Sequence, residues 1–512
     1  MIAPGPRAAA EGEPALRVPE RLQPLRHRRV DLVGVASVEG GEMARYLMAA
    51  GFSNLVGHDQ QPDLVSLGRS HHLAHAGLEP AERQARLERL LSGLSSLHLA
   101  DSYLDGVGDS AVVIPTQAWF LSAANAPLQR LRAAGHPFYS LIQAYLELAR
   151  GEVVGVTGSH GKSTTSALLA ALLRGGRVYR RVWLAGNDRH DRQALEEVAR
   201  DQGGGCLVLE ISNRQLLQLE QAPRVACLTN ISPNHLDEHG GLAGYIRAKR
   251  RIFELPGCEV ALRNGDDRLS FEGGELDQGL RQLRFAGSEA RLMGLDGAFE
   301  RDGSLWLRWQ GRAMEALPIS RVPLLGEHNR SNVRAALALM LALQGLRPDL
   351  VPRAAEAIAT FRPLRHRTEL IRQHLGIDYL DDLSSTTPQS TCAAVRSLGR
   401  PCVLIAGGED KGIDFGELLG LVGGPVRQLV LLPGAGSDRL ERELASLGRK
   451  GLVHRVEKLQ PAVGLAVQLV RAGEAVLLSP ACPGFFSAHY REGGFRQAVR
   501  RATSPRPRRE PG

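Results

Sequence analysis

Residues 151–176, GEVVGVTGSHGKSTTSALLAALLRGG, constrain the fold of this chain more than any other stretch. An apolar, β-rich run meets a polar glycine loop, and an apolar helical run follows. That is the strand–loop–helix context in which a phosphate-binding loop works. Gly161, Lys162 and Ser163 fit the end of the G-x-x-x-x-G-K-[ST] pattern, but position 156 is Val and the nearest glycines are Gly155 and Gly158. Two readings follow: a shorter phosphate loop, or a glycine turn before a helix capped by Ser163. In the first, backbone N–H groups of residues 158–162 and the helix N-terminus cradle a triphosphate. Lys162 then neutralises the β and γ phosphates, and Ser163 ligates Mg²⁺.

The surrounding pattern is α/β throughout. GGCLVLEIS and RVACLTNIS read as buried strands of the same unit, each ending in polar residues. Ligands of open α/β sheets sit at the carboxyl ends of strands, which is where Glu210, Ser212, Asn230 and Asn234 fall. Glu210 suits a Mg²⁺-holding carboxylate, with a helix cap or ion pair as the competing reading. Upstream, VDLVGVASVEGGEMARYLMAAGF, LVGHDQ and SAVVIPTQ suggest a nucleotide-binding unit without a clean GxGxxG. Downstream, GIDYLDDLS, PCVLIAGG, QLVLLPG and AVLLSPA alternate with helices in a third unit. The expected division is a basic tail at 1–29, domains at 30–148, 149–362 and 363–500, and a second tail at 501–512, both tails disordered.

Charge argues against a nucleic-acid partner. The net charge is +8, but residues 1–29 carry six Arg and three Glu and residues 497–512 five Arg and one Glu, so the ends supply +7. No apolar run is long enough for a membrane span, and the N-terminus lacks the apolar core of a signal peptide. The six cysteines form no CxxC pair, which points to neither zinc nor disulfides and suits a reducing cytoplasm. Only five of the 63 basic residues are Lys: 162, 249, 411, 450 and 458. In a chain that writes Arg by default, a Lys is a candidate for chemistry that Arg cannot perform, such as nucleophilic attack by a neutral amine. Lys249 stands among Arg247, Arg250 and Arg251, and crowding by cations lowers a Lys pKa.

The motifs GSHGKSTT, LEIS, TNISPNHLDEHG…YIRAKRRIF, GEHNRSN, HRTEL, AGGEDKGIDF and LSPAC occur here in the order seen in the Mur ligases. The chain resembles that family over about residues 30–500. NISPNHLDEHG and LIAGGEDKGIDF are most similar to its D-glutamate-adding branch. The Gly158-to-Gly161 spacing is the family's own loop. The resemblance implies three α/β domains: a Rossmann-like one for a UDP-sugar, a central P-loop ATPase-type sheet, and a Rossmann-like C-terminal domain for the amino acid. It implies ATP and two Mg²⁺ ions as cofactors. It also implies amide formation between UDP-N-acetylmuramoyl-L-alanine and glutamate through an acyl phosphate, by a cytoplasmic monomer without nucleic-acid or membrane partners. By motif match, ATP contacts come from Gly158, Ser159, His160, Gly161, Lys162, Ser163, Thr164, Asn329, Asn332, Arg367 and Asp382. The catalytic set is Lys162, Glu210, His235 and Lys249, and the metal set is Ser163, Glu210, His235 and a carbamylated Lys249. Substrate contacts fall on Asn187, Ser212, Thr386, Lys411 and Ser479.

The departures cluster away from the loop. GVASVEGGEM replaces the usual glycine pattern, and IPTQAWF stands where the family has S-P-G. The sequence diverges after Gly186–Asn187. The family's D-S-K-A-T appears as DLSST, residues 382–386, and Gly484 occupies a serine position. ATP chemistry is therefore expected to be retained and substrate recognition altered, with L-glutamate, another amino acid or a different carboxylate acceptor as the alternative. A nucleotide-gated binding protein without ligase activity is the non-enzymatic alternative. Lys249 and His235 speak against it, since ATP binding alone needs neither.

Overall fold

The computed structural model describes residues 14–121, 123–187, 193–233, 236–485 and 494–504. Three sheets organise the chain, as the α/β pattern predicts. The first runs β3-β2-β1-β4, with β1 (Val30–Val33), β2 (Leu55–His58), β3 (Ser96–His98) and β4 (Val112–Pro115) all parallel. Helix α1 (Val38–Ala49) follows β1 through a tight turn. Ser37 caps it, its Oγ accepting from the Gly40 N–H at 3.0 Å.

The central sheet has nine strands in the order β13-β12-β11-β10-β9-β8-β5-β7-β6. Its heart is β5 (Glu152–Thr157), β6 (Arg181–Gly186), β7 (Gly205–Glu210) and β8 (Val225–Leu228), mutually parallel. Strands β7 and β8 are buried along their whole length, which is why CLVLE and VACL read as near-continuous apolar runs rather than alternating ones. Helix α2 (Lys162–Gly176) packs on this sheet through ten buried residues. The outer strands are β9 (Val260–Asn264), β10 (Arg281–Ala286), β11 (Asp296–Arg301), β12 (Ser304–Trp309) and β13 (Arg312–Pro318). The last three form an antiparallel meander. Sequence reading assigned none of these five.

The third sheet runs β14-β15-β19-β16-β17-β18: β14 (Glu369–His374), β15 (Ile377–Asp381), β16 (Cys402–Gly407), β17 (Val426–Leu431), β18 (Val453–Arg455) and β19 (Ala475–Ala481). It is parallel except for the β14–β15 hairpin. The chain separates into two compact units, Met1–Arg321 with Ser331–Ala359 and Val322–Arg330 with Thr360–Gly512.

One expectation is corrected. Residues 14–29 are not a disordered tail. Val18 and Leu22 are buried. Arg17 lies at the end of the short helix Leu195–Arg200, donating to the carbonyls of Ala199 (3.0 Å), Val198 (2.9 Å) and Asp201 (2.8 Å). Those are the acceptors a helix C-terminus leaves unsatisfied. Residues 1–13 and 505–512 lie outside the described residues, and helix Gly494–Thr503 carries order past residue 500. Among the described residues no helix is long and apolar enough to cross a membrane.

Candidate active site

The carboxyl ends of the central strands converge on the glycine loop after β5. Gly158 has φ +149°, and a Cβ there would lie 1.9 Å from Thr229 Oγ1. Gly161 has φ +82°, and a Cβ there would lie 2.2 Å from Asn332 Oδ1. Both positions require glycine for conformation and for space. Sequence reading offered the N–H groups of 158–162 as a phosphate cradle. The structure narrows it: the Ser159 N–H donates to the Asn230 carbonyl (2.9 Å) and the His160 N–H to Asn230 Oδ1 (3.0 Å). The Asn230 amide returns a bond to the His160 carbonyl at 3.0 Å, and Thr229 Oγ1 donates to the same carbonyl at 2.6 Å. Asn230 thus moulds the loop, and the first turn of α2, which includes Ser163 and the buried Thr164, follows directly on Gly161. Ser163 is not the cap of α2; Gly161 is.

Two lysine amines meet at this loop. Lys162 Nζ donates to the carbonyls of Gly158 (2.9 Å) and Ser159 (3.2 Å). Lys249 Nζ donates to the same Gly158 carbonyl (2.8 Å) and to Thr157 Oγ1 (3.3 Å). Lys249 sits on α4 (Leu242–Glu254), one turn beyond Tyr245, whose ring lies 5.3 Å from the amine. A third helix, α3 (Asn213–Leu216), packs beside α4 and is capped by Ser212. Lys249 is only 1% exposed. Burial drives its pKa well below the ordinary lysine value, the Lys162 charge adds to this, and Glu210 opposes it. Such a shift raises the share of neutral, nucleophilic amine.

Glu210 ends β7, 4% exposed, and its Oε1 accepts from Asn187 Nδ2 at 2.9 Å. Asn187 follows β6, and its backbone N–H donates to the Glu210 carbonyl at 2.8 Å. A buried carboxylate and a hydroxyl at Ser163 are the hard oxygen donors Mg²⁺ takes alongside substrate phosphates; the residues present fit that ion. His235, the remaining expected ligand, lies outside the described residues. The segment after it is anchored: Arg214 binds Glu238 through two bonds of 2.6 and 2.7 Å, and Asn213 Nδ2 meets His239 Nε2 at 2.6 Å. Asn332 is buried in this same unit, accepting from Thr165 Oγ1 at 3.3 Å.

The remaining expected residues belong to the second unit. Asn329, 7% exposed, donates through Nδ2 to the Leu325 carbonyl at 2.8 Å. Asp382 follows β15 with both oxygens engaged. Oδ1 accepts from the Thr368 N–H (3.0 Å) and Oγ1 (3.2 Å), and Oδ2 from Ser479 Oγ (2.9 Å). Ser479 also meets Thr391 Oγ1 at 2.8 Å. Burial pushes the Asp382 carboxyl up to about 6 against these bonds. Thr386 and Lys411 are exposed, and Arg367 is half-buried. At Gly484, φ is +77°, a left-handed backbone conformation that favours glycine over the serine the resemblance leads one to expect there.

Sequence reading missed two participants. Glu39, in the first turn of α1, and Gln117, after β4, reach into the central sheet's polar edge. The polar Gln in IPTQAWF, just past an apolar strand, was the available signal.

Comparison with known proteins accords with this geometry. Residues 156–340 match the Mur ligase middle domain, and residues 366–482 the Mur ligase glutamate ligase domain. The chain is 33% identical over 406 residues to UDP-N-acetylmuramoylalanine–D-glutamate ligase of Symbiobacterium thermophilum, covering 79% of this chain and 86% of that one. In fold it resembles UDP-N-acetylmuramate-alanine ligase MurC of Thermotoga maritima, with a TM-score of 0.57 at 19% identity over 93% of this chain and 99% of that one. It also resembles MurF ligase of Thermotoga maritima, solved in complex with ADP, with a TM-score of 0.52 at 16% identity over 93% and 99% of the two chains. With both domain models matched in order and a third of the positions shared across most of its length, the chain belongs to the Mur ligase family.

Proposed function

We propose that this chain joins UDP-N-acetylmuramoyl-L-alanine to D-glutamate at the expense of ATP, a step of peptidoglycan precursor synthesis, as a cytoplasmic monomer. The observation that carries the reading is Lys249. In an Arg-rich chain a lysine amine is buried against the Gly158 carbonyl, beside Lys162 and the Glu210 region. The name of the Symbiobacterium relative supports the substrates. Residues 30–148 would bind the UDP-sugar, 149–362 ATP, and 363–500 the amino acid. By motif match, Lys162 would meet the β and γ phosphates of ATP, and Asn329, Asn332, Arg367 and Asp382 would also serve the nucleotide. The substrate carboxylate takes the γ-phosphoryl group, releasing ADP. The glutamate amine then attacks the acyl carbon, and phosphate leaves. Lys162 offsets the negative charge on the transferring group. Two Mg²⁺ ions, when bound, would supply further charge stabilisation, and Ser163, Glu210, His235 and Lys249 would hold them. In its neutral form the Lys249 amine would add to CO₂ to give a carbamate anion and a proton, supplying an oxygen ligand where an ammonium would repel the metal. Asn187 and Ser212 would face the UDP-sugar substrate, and Thr386, Lys411 and Ser479 the incoming glutamate.

The test is direct. The purified chain, ATP, Mg²⁺ and UDP-N-acetylmuramoyl-L-alanine are mixed with D- or L-glutamate, and ADP, phosphate and amide are followed by mass spectrometry. D-glutamate amide is expected; ATP turnover without amide would sink the ligase reading. A second reading, an altered amino acid, is favoured by the second unit, where Thr386 is exposed and Gly484 adopts a left-handed φ. Strict D-glutamate use removes it.

A further inference from the structure

A directional chain of hydrogen bonds links the turn after β1 to the Glu210 carboxylate. Glu39 Oε2 accepts from the Gln117 backbone N–H at 2.8 Å. Glu39 Oε1 accepts from Gln117 Nε2 at 3.2 Å and from Gln215 Nε2. Gln117 Nε2 also donates to Asn187 Oδ1 at 2.7 Å, and Gln117 Oε1 accepts from Ser212 Oγ at 2.6 Å. Ser212 caps α3, its Oγ accepting from the Gln215 N–H at 3.1 Å. Asn187 Nδ2 then donates to Glu210 Oε1 at 2.9 Å.

The sense of every bond is set from one end. Three N–H groups point at the Glu39 carboxyl oxygens, so Glu39 accepts from each and holds the Gln117 NH₂ toward itself and Asn187. The opposite face of Gln117 then presents its oxygen to Ser212. Because Asn187 Oδ1 is taken by Gln117, its NH₂ faces Glu210. A Gln117 amide turned over would place oxygen against Glu39 and against Asn187 Oδ1, three acceptors together. Both Glu39 and Gln117 stand in the stretches GVASVEGGEM and IPTQAWF, where this sequence departs from its family.

We infer that Gln117 is a positioning residue for the cation at Glu210, orienting the Asn187 amide so that it donates to Oε1 and holds the carboxylate in one rotamer. The inference rests on the reading of Glu210 as a Mg²⁺ ligand. Groups that orient metal ligands in this way typically change metal affinity about 10- to 100-fold when altered. It also follows that the first sheet's turn and the cation site communicate through Asn187, since a ligand that pulls Gln117 away releases the amide.

The test separates orientation from scaffolding. Gln117→Glu puts two carboxylates together and is expected to lower the melting temperature. The double exchange Glu39→Gln with Gln117→Glu restores a donor–acceptor pair between positions 39 and 117, and Ser212 still donates to position 117, but the new amide at position 39 sets its NH₂ against that of Gln215. Asn187 must nevertheless turn its NH₂ toward Glu at 117 and its oxygen toward Glu210. The double variant is therefore expected to melt above Gln117→Glu though below the wild type, yet need at least about tenfold more Mg²⁺ for half-maximal Mg²⁺-dependent binding of a fluorescent ADP. Its affinity for that probe without Mg²⁺ stays unchanged. Wild-type Mg²⁺ dependence in the double variant overturns the inference. Should the double variant not fold, Gln117→Met removes both donors without adding charge and is expected to shift the Mg²⁺ requirement in the same direction; no shift overturns the inference equally. Glu210→Ala distinguishes the two layers. If it leaves Mg²⁺ dependence intact, the Glu210 assignment itself fails. If it abolishes that dependence while the Gln117 variants do not move it, only the role of Gln117 falls.

Discussion

The loop after β5 and the carboxyl edge of the third sheet use one topological device, a polar turn at the end of parallel strands, and differ in what gives them shape. The loop is a backbone object. Two glycines with no room for a side chain, and Asn230 bonded to Ser159 and His160, fix its path. The third-sheet edge is a side-chain object. Asp382, Ser479, Thr368 and Thr391 bond one another in its interior, while Thr386 and Lys411 extend into solvent. A backbone device tolerates few substitutions, so its motif persists in recognisable form. A side-chain device can be rewritten residue by residue.

The largest expected effect breaks the loop side chemically. Lys249→Arg keeps the positive charge but cannot form a carbamate. Turnover should fall at least about 100-fold, close to 3 kcal/mol of barrier, while circular dichroism stays native. Retention of most activity would remove the carbamate role. Next, Gly161→Ala tests whether the loop is a backbone object. Its left-handed φ and the 2.2 Å approach to Asn332 should cost about 1–3 kcal/mol of stability and raise the KM for ATP. A variant with a wild-type melting temperature would show the loop to be plastic. On the opposing side, Lys411→Met should raise the KM for glutamate about tenfold, the loss of one charge-assisted bond, with kcat and melting temperature almost untouched. An equal fall in kcat would mean that Lys411 acts in the chemistry.

The smallest effect concerns pH. The Asp382 carboxyl is raised from 3.8 to about 6 by burial, so between those values the folded chain holds more protons than the unfolded one. Stability from this group is complete below the ordinary carboxylate pKa and is lost as pH rises through about 6. Asp382→Asn should flatten that part of the melting-temperature profile. An unchanged slope would show that the interior of the third-sheet edge does not govern it.

Much of the fold was legible because burial on both faces leaves a plain signature. AVLLSPA became β19 as read, and the apolar cores of GGCLVLEIS and RVACLTNIS became β7 and β8. Residues 260–318 escaped because arginines interrupt their apolar positions, as in RQLRFA and SLWLRW. The turns were readable: Asp302–Gly303 and Gln310–Gly311, all with positive φ, join paired strands through two-residue loops, a strong hairpin signal. The N-terminal segment misled for a compositional reason. Pro and Arg suggested disorder, whereas Arg17 finds three helix-end carbonyls far along the chain.

In the site, the sequence alone determined the loop's location, the rare lysine at 249 and the presence of an acid at Glu210, because glycine spacing and residue chemistry are local properties. Which loop donors are bonded within the fold was decided by Asn230, some 70 residues away. The burial that lowers the Lys249 pKa, and the Glu39–Gln117–Asn187–Glu210 chain, were likewise decided only by tertiary structure. Burial and hydrogen-bond direction depend on which distant groups share a few ångströms of space, and no local pattern encodes that.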